Sequence, residues 1–375
     1  AGQCVSGVVA ADERSGETFR VAARAVVNVA GPWVDEVLTG AAGDFRRLIG
    51  GTKGSHLVVD PFPGAPAQAL YFEAKADHRP VLIIPWNGRY LIGSTDIRYD
   101  GDPDAARVDD AEIAYLLGET NSLIPAADLT AADVRYAYAG VRPLPWRPAG
   151  VEGNISRDHA VVRHGAPFRG LFSITGGKLT TYRALAEHAV NDVFRALGRR
   201  PGRCPTARVP LPGAAGIVLE PFKTRFVADS GLPERTAERL VDIYGRRAVE
   251  VPALAGRDPY LREPFAPNVG AIRAEIVFAF QQEFAATLED VLLRRTMVGL
   301  EPDLGLSAVE AAAETARYCL GWSAGAAAAA VARYHTSVQR FRPEILRALE
   351  RDPRAEEAAV GADGARLNAT IEEQP

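Results

Sequence analysis

Methionine, cysteine and lysine are the scarce residues of this 375-residue chain. The sole methionine is Met297, so residue 1 is not an initiator, and the chain is expected to begin partway through a longer gene product. Cys4, Cys204 and Cys319 lie far apart with no CxxC pairing, which excludes a disulfide framework or a zinc-ligand cluster and makes a reducing compartment the default. No apolar run approaches the roughly 18 residues of a membrane span. The longest candidate, Ala324 to Ala332, is short and mostly alanine, and the start lacks the pattern of a signal peptide. An excess of one charge is missing too. With 43 basic and 47 acidic residues the formal charge is −4, no footprint for nucleic acid. Neither HExxH, GxSxG nor a carboxylate pair at metal-ligand spacing occurs, which disfavours metalloprotease and α/β-hydrolase chemistry and leaves no metal site.

What remains is a soluble globular composition, 47% hydrophobic and 24% charged, in a length that at roughly 150 residues per domain predicts two to three domains. Only Lys53, Lys75, Lys178 and Lys223 stand against 39 arginines, a bias that makes each lysine more informative.

Phe19 to Val29 is β-branched and apolar and stops at Gly-Pro, which predicts one buried strand, a sharp turn and a short helix from Trp33 to Leu38. His56 to Asp60 reads as a strand. Val81 to Trp86 and Tyr90 to Ser94 flank Asn87-Gly88, the strongest local hairpin signal. Asp109 to Leu123 carries Ile113, Leu116, Leu117 and Thr120 on one helical face behind an aspartate suited to capping. Val134, Tyr136 and Tyr138 then alternate into a proline-pinned loop, and strands follow at His159 to Arg163 and Leu171 to Thr175. A helix after Gly176-Gly177 ends at Gly198. Residues 201–216, rich in Pro, Gly and Arg, read as a linker. Helices are expected at Pro233 to Tyr244, Ala271 to Phe284, Leu288 to Arg295, Ser307 to Leu320 (with a Ser307–Glu310 capping box) and Gly325 to Phe341. The tail after Pro353 is expected to fray.

In SITGGKLTTYRALAEHAV, residues 173–190, a buried strand enters a helix through two glycines, a lysine and two threonines. A helix N-terminus presents unpaired N–H groups and partial positive charge, and glycines admit a ligand to the backbone, so an anionic or electron-rich ligand is expected. The residues alone leave open an ordinary strand-to-helix turn with a surface lysine. GGKLTT lacks the spacing of a Walker loop. Arg142 and Arg157 sit beside turns near strands that can converge, and guanidinium forks bind phosphate or carboxylate through paired hydrogen bonds. In an arginine-rich chain a solvated role stays open for each. His56 opens a strand and could serve as a general base, though a structural histidine is the commoner case. Thr95 and Asp96 end the second hairpin strand, where they could cap the next loop.

Together these segments resemble the FAD-dependent glycerol-3-phosphate dehydrogenases, within the D-amino-acid-oxidase-like flavoproteins. The resemblance rests on VVNVAGPWVDEV, TKGSHLVVD, VLIIPWNGRYLIGSTD, YAYAGVRPL, ISRDHAVV and SITGGKLTTYRALAEHAV, in order, with EIVFAFQQEFAATLEDVLLRRTMVGL matching the family's helical C-terminal domain. It runs from about residue 20 to about residue 345. The family's GxGxxG fingerprint is absent, so the resemblance places the chain as the C-terminal two-thirds of such an enzyme.

The resemblance implies a mixed α+β and α/β architecture. Residues 1–50 and 151–200 would form a partial Rossmann-like FAD-binding domain, 51–150 an antiparallel β substrate domain, and 217–350 an all-α C-terminal domain. It implies FAD contacts from Ala30, Gly31, Pro32 and Trp33 and from Gly176, Gly177, Lys178, Leu179 and Thr180. Arg142 and Arg157 would clamp the phosphate of sn-glycerol 3-phosphate, with Lys178 and Thr95 near the substrate and His56, Arg142 and Lys178 catalytic. Oxidation would yield dihydroxyacetone phosphate. By resemblance the electrons pass to a quinone or another acceptor, and the protein is cytoplasmic or peripheral on the inner face of the cell membrane. The apolar stripes of the C-terminal helices read first as core, with a homodimer through them as the alternative. Two alternatives stand beside this reading: an amine or amino-acid oxidase of the same fold, and a catalytically silent fragment acting as a binding module.

Overall fold

The structure is a computed structural model and describes residues 4–41, 45–147, 158–256, 258–266 and 268–351. It divides into two compact units, Ala1–Ala207 with Pro343–Pro375, and Arg208–Arg342. The division falls inside the linker-like stretch, and all three sheets of the first 200 residues belong to one unit.

The first unit opens with an exposed hairpin of β1 (Gly7–Ala11) and β2 (Thr18–Ala22). The single strand expected from Phe19 to Val29 is in fact two. Ala23 N–H closes the hairpin on Ser6 O, whereas Val26 N–H bonds Gly170 O, so β3 (Val26–Asn28) joins another sheet. No Gly or Pro interrupts Ala22 to Val26, so local pattern does not mark the break. A 3₁₀ turn, Gly31–Trp33, leads into helix α1 (Val34–Gly40).

Next comes an antiparallel sheet of β4 (Thr52–Val59), β5 (Leu70–Glu73), β6 (Pro80–Trp86), β7 (Arg89–Gly93) and β8 (Ile97–Arg98). Between β6 and β7, Asn87 and Gly88 both have positive φ (48° and 73°), as a two-residue hairpin turn requires. Helix α2 (Asp110–Leu123) follows, its Asp109 and Glu112 forming a reciprocal capping box, and then β9 (Val134–Arg142). Strand β4 is central: β7 and β8 pair with one edge and β9 with the other. Leu57, Val59, Ile83 and Ile92 pack against Ile113, Leu116 and Leu117 of α2. In the third sheet β11 (Leu171–Thr175) lies between antiparallel β10 (Ala160–Arg163) and parallel β3. A 3₁₀ turn, Leu179–Thr181, then enters α3 (Tyr182–Ala196).

The second unit contains α4 (Leu219–Asp229), α5 (Glu234–Tyr244), α6 (Glu250–Ala255), a ribbon of β12 (Pro264–Ala266) and β13 (Ala271–Ile272), α7 (Arg273–Gln282), α8 (Val309–Leu320) and α9 (Ala324–Val338). It is therefore helical with a small β ribbon. Its polar knot is Glu275, fully buried, which takes both its oxygens to Arg239 and accepts from Tyr244 and the Ile272 N–H. Two expectations fail here. Leu288 to Arg295 is largely a π-helical turn, Asp290–Arg295. The Ser307–Glu310 capping box does not form, because Asp303 draws the Ser307 N–H into a preceding turn and the helix starts at Val309. Helix α10 (Glu344–Arg351), expected in the helical domain, instead returns to the first unit. Ile345 and Leu346 enter the core under α2, and the Ile345 N–H donates to Asp110. The tail expected to fray lies outside the described residues.

A buried ion pair fastens α2 to β4. Lys53 Nζ lies 2.9 Å from Glu112 and 3.0 Å from Asp109 and donates to Arg107 O. Burial opposes the ammonium, but the bonds and charges of Glu112 and Asp109 outweigh it and raise the Lys53 pKa. Lys53→Ala leaves the Glu112 carboxylate buried and uncompensated, with an expected loss of about 3–5 kcal/mol in urea unfolding. Adding Glu112→Leu should recover part of that loss.

Candidate active site

Side chains alternate along β4, so that Leu57 and Val59 face α2 while Thr52, Gly54 and His56 face the other way. Tyr138, Gly140 and Arg142 of β9 pair with His56, Gly54 and Thr52 and share that face. Gly93 of β7 pairs with His56 from the opposite edge. Three rungs thus make the site: His56–Tyr138, the bare Gly54–Gly140, and Thr52–Arg142.

The His56 ring stacks on Tyr138, centroids 5.2 Å apart and planes 14° from parallel. Its Nδ1 is buried without a hydrogen-bond partner. Burial first, and then the Arg142 charge, lower the His56 pKa to about 4. The imidazole is therefore neutral at ordinary pH and can accept a proton.

Arg142 is held on several sides. One terminal nitrogen donates to Asp96 (2.9 Å) and Thr52 (3.4 Å), the other to Ser94 (2.7 Å) and Thr95 O (3.0 Å). Its guanidinium lies over Gly54, where any side chain would collide with it, while nothing lies within 4 Å of where a Gly140 side chain would start. Thr95 is not where a substrate contact is expected. Its hydroxyl is 4% exposed with its residue, accepts from the Ser55 N–H and donates to Glu112, on the α2 side. Of the Thr95–Asp96 pair, it is the Asp96 carboxylate that meets the Arg142 guanidinium. A cavity of about 560 Å³ beside it is walled by α2 rather than by His56.

The parallel strands deliver two loops to one edge. Asn28 of β3 lies opposite Ser173 of β11, so Ala30 to Trp33 and Gly176 to Thr180 both leave at carboxyl ends, the usual ligand edge of such sheets. Asn28 fixes the first loop by donating to Val34 O and accepting from the Ala30 N–H. Gly176 and Gly177 have φ of 68° and 90°, open to glycine at little cost. The Gly176 N–H donates to Pro143 O at 2.8 Å, tying this loop to the residue after Arg142, and the Gly31–Trp33 turn lies against β9. The predicted loops and Arg142 are therefore brought together with His56 through β9. Lys178 is exposed at the head of the turn into α3, and Arg157 lies outside the described residues.

These loops fit a flavin. No atom lies within 4 Å of where a Gly31 side chain would start, Leu179 and Val29 are exposed apolar surfaces (89% and 64%), and α3 begins beside them. A flat, partly apolar ring system can reach that backbone, with the helix terminus favouring negative charge on it. Gly54, Gly93, Tyr138 and Asp96 escaped the sequence reading as site residues. Gly93 alone carried a signal, a glycine inside a strand pattern.

The unfolded chain binds a proton at His56 near its ordinary 6.5 and the folded chain only near 4. Stability is thus full above pH 6.5 and falls by up to about 3 kcal/mol as pH drops through 4. His164, also lowered by burial, acts in the same direction. Urea unfolding at several pH values should therefore show a shallower acid decline in His56→Gln.

Comparison with known proteins matches the FAD dependent oxidoreductase family over residues 2–183 and the C-terminal domain of alpha-glycerophosphate oxidase over residues 204–327. A glycerol-3-phosphate dehydrogenase of Synechocystis is 43% identical over 347 residues, 90% of this chain and 63% of that protein. Glycerol-3-phosphate dehydrogenase 2 of Mycobacterium bovis is 33% identical over 349 residues, 92% of this chain and 58% of that protein. The chain thus spans less than two thirds of the length of these curated relatives. Among solved structures, the glycerol-3-phosphate dehydrogenase from Bacillus halodurans complexed with FAD superposes with a TM-score of 0.73 at 29% identity, covering 90% of this chain and 66% of that one. No helix among the described residues is long and apolar enough to cross a membrane.

Proposed function

The chain belongs to the FAD dependent oxidoreductase family, and from that premise we propose that it oxidises sn-glycerol 3-phosphate to dihydroxyacetone phosphate. The observation that carries this is the pairing on one sheet face of a braced guanidinium, Arg142, with a buried neutral imidazole, His56. Phosphate needs the first and a secondary alcohol the second.

Arg142, with Arg157 by resemblance, meets the phosphate with its charge, and a direct hydrogen bond from a terminal nitrogen replaces one of those to Thr52, Asp96, Ser94 or Thr95 O. Lys178 neighbours the substrate oxygens. His56 accepts the C2 hydroxyl proton while hydride leaves C2. A phosphate dianion at Arg142 offsets the charge that depresses His56, so substrate binding itself raises the basicity of the acceptor. FAD, held by Ala30, Gly31, Pro32 and Trp33 and by Gly176, Gly177, Lys178, Leu179 and Thr180, supplies the two-electron acceptor. Onward transfer to a quinone, peripheral contact with the inner face of the membrane and a homodimeric assembly extend the same reading.

An amino-acid oxidase would use its arginine on a carboxylate. The second family match, to the C-terminal domain of alpha-glycerophosphate oxidase, favours phosphate. Glycerol 3-phosphate added without oxygen to the FAD-loaded protein is expected to bleach the visible flavin band, and glycine or D-alanine to leave it. The reverse pattern would overturn the substrate. Arg142→Ala should raise KM for glycerol 3-phosphate about 10- to 100-fold in steady-state kinetics. An unchanged KM removes Arg142 from the phosphate contact.

A further inference from the structure

We infer that Tyr138 and Gly93 are positioning residues that clamp the His56 imidazole between β9 and β7 in the orientation proton transfer requires. This rests on the reading of His56 as the proton acceptor.

His56 sits on the central strand, and both its cross-strand partners are unusual for what they do to its ring. On β9 the Tyr138 ring lies nearly parallel to the imidazole, 14° apart at a centroid distance of 5.2 Å. On β7 the partner is Gly93, and any Cβ there would stand 2.8 Å from the imidazole Cγ, nearer still to Cδ2. The ring has therefore settled over bare backbone on one edge and against an aromatic face on the other. An imidazole on an exposed strand would otherwise sample several rotamers. Here a wall and a vacant Cβ position select one, and it is the rotamer that buries Nδ1 without a protein partner.

The other groups on this face leave the task to these two. Gly54 and Gly140, the next rung, have no side chains, and Arg142 beyond them is turned onto Asp96, Ser94 and Thr95 O. The charged and titratable groups about His56 are Arg142 and Tyr138 of β9 and, through Arg142, Asp96 after β7. Burial of the ring, to which Tyr138 contributes one face, is the larger cause of its lowered pKa. Tyr138 acts through its ring rather than its hydroxyl, since the contact is a stack.

The test is steady-state kinetics of the FAD-loaded protein with glycerol 3-phosphate, across pH, for Tyr138→Phe, Tyr138→Ala, Gly93→Ala and His56→Gln. Loss of the clamp should lower kcat about 10- to 100-fold in Tyr138→Ala and Gly93→Ala, with KM within about 2-fold, because misorientation penalises the chemical step and spares the phosphate grip. Tyr138→Ala also admits water to the ring, so the acid inflection of kcat/KM should move upward by about one pH unit or more. Tyr138→Phe restores the aromatic face and should restore kcat and the inflection together. A Tyr138→Ala protein with unchanged kcat and inflection overturns the inference, as does a Phe variant as impaired as the Ala one, which would assign the role to the hydroxyl. His56→Gln separates the two readings: it should cost about 10²- to 10⁴-fold in kcat, and if it costs nothing the proton-acceptor reading fails, whatever Tyr138 does. If His56→Gln is impaired while Tyr138→Ala is not, only the clamp fails. Retained flavin binding and circular dichroism establish folding, and should Gly93→Ala not fold, the Tyr138 series decides alone.

Discussion

Strand β4 is paired along both edges, and its period-two alternation divides its side chains into a face packed on α2 and a face that carries the candidate site. Lys53 and Leu57 belong to the first face, tied to α2 by the ion pair with Glu112 and by the apolar core. Thr52, Gly54 and His56 belong to the second. A one-residue slip in register would exchange the two sets, burying the imidazole under α2 and exposing the ammonium. The buried Lys53–Glu112 pair is a register lock as much as a source of stability, because only one alignment pairs these charges. The bulge where Val58 and Val59 meet β9 confines the irregularity to the far end, away from the rungs that carry His56 and Arg142.

The faces are joined at Thr95. Its carbonyl accepts from Arg142 on the chemical side, while its hydroxyl bridges the Ser55 N–H and Glu112 on the core side. Thr95 is thus the route by which α2 holds the Arg142 guanidinium still. Asp96 and Ser94 flank it and complete the cradle. A guanidinium so braced loses little freedom when an anion arrives, which favours binding through preorganisation rather than through additional contacts.

Where local chemistry dictates conformation, the sequence was readable. Asn87-Gly88 has one good solution between two apolar runs, the Asp109–Glu112 box can only begin a helix, and the Gly176-Gly177 entry to α3 is marked by residues that tolerate positive φ. Ala30 to Trp33, Arg142, His56 and the GGKLTT segment could all be named as candidates, through the resemblance more than through spacing. What stayed hidden depends on partners distant in sequence. The break after Ala22 is made by bonds to Ser6 and Gly170, neither of which leaves a local mark. Helix α10 looks like any other amphipathic segment until Ile345 meets α2. Thr95 and Asp96 are neighbours with similar polarity, and only the turn after β7 decides which one faces Arg142. Gly54, ahead of the expected strand, and Gly93, within one, carry no mark of their role, because the atoms that occupy their missing side-chain space belong to Arg142 and His56.

Beside the β1–β2 hairpin, the two larger sheets of this unit differ in their hydrogen-bond pattern. Parallel β3 and β11 end at the same edge, so the loops that follow them converge, and loops rich in glycine can present backbone to a planar ligand. The antiparallel sheet offers instead cross-strand pairs, which set side chains at fixed spacing across a rigid surface. Each arrangement suits a different task, cradling a cofactor in one case and aligning a proton acceptor with a phosphate grip in the other. In the proposed reaction the two would have to be held together. The Gly176 N–H to Pro143 O bond makes a join one residue from Arg142 and two from Lys178, the residues proposed to meet substrate and cofactor. Glycine at 176 serves this join as well as the turn: a Cβ there would meet the backbone of Asp158 and His159, so the loop can pass between β9 and β10 only without one.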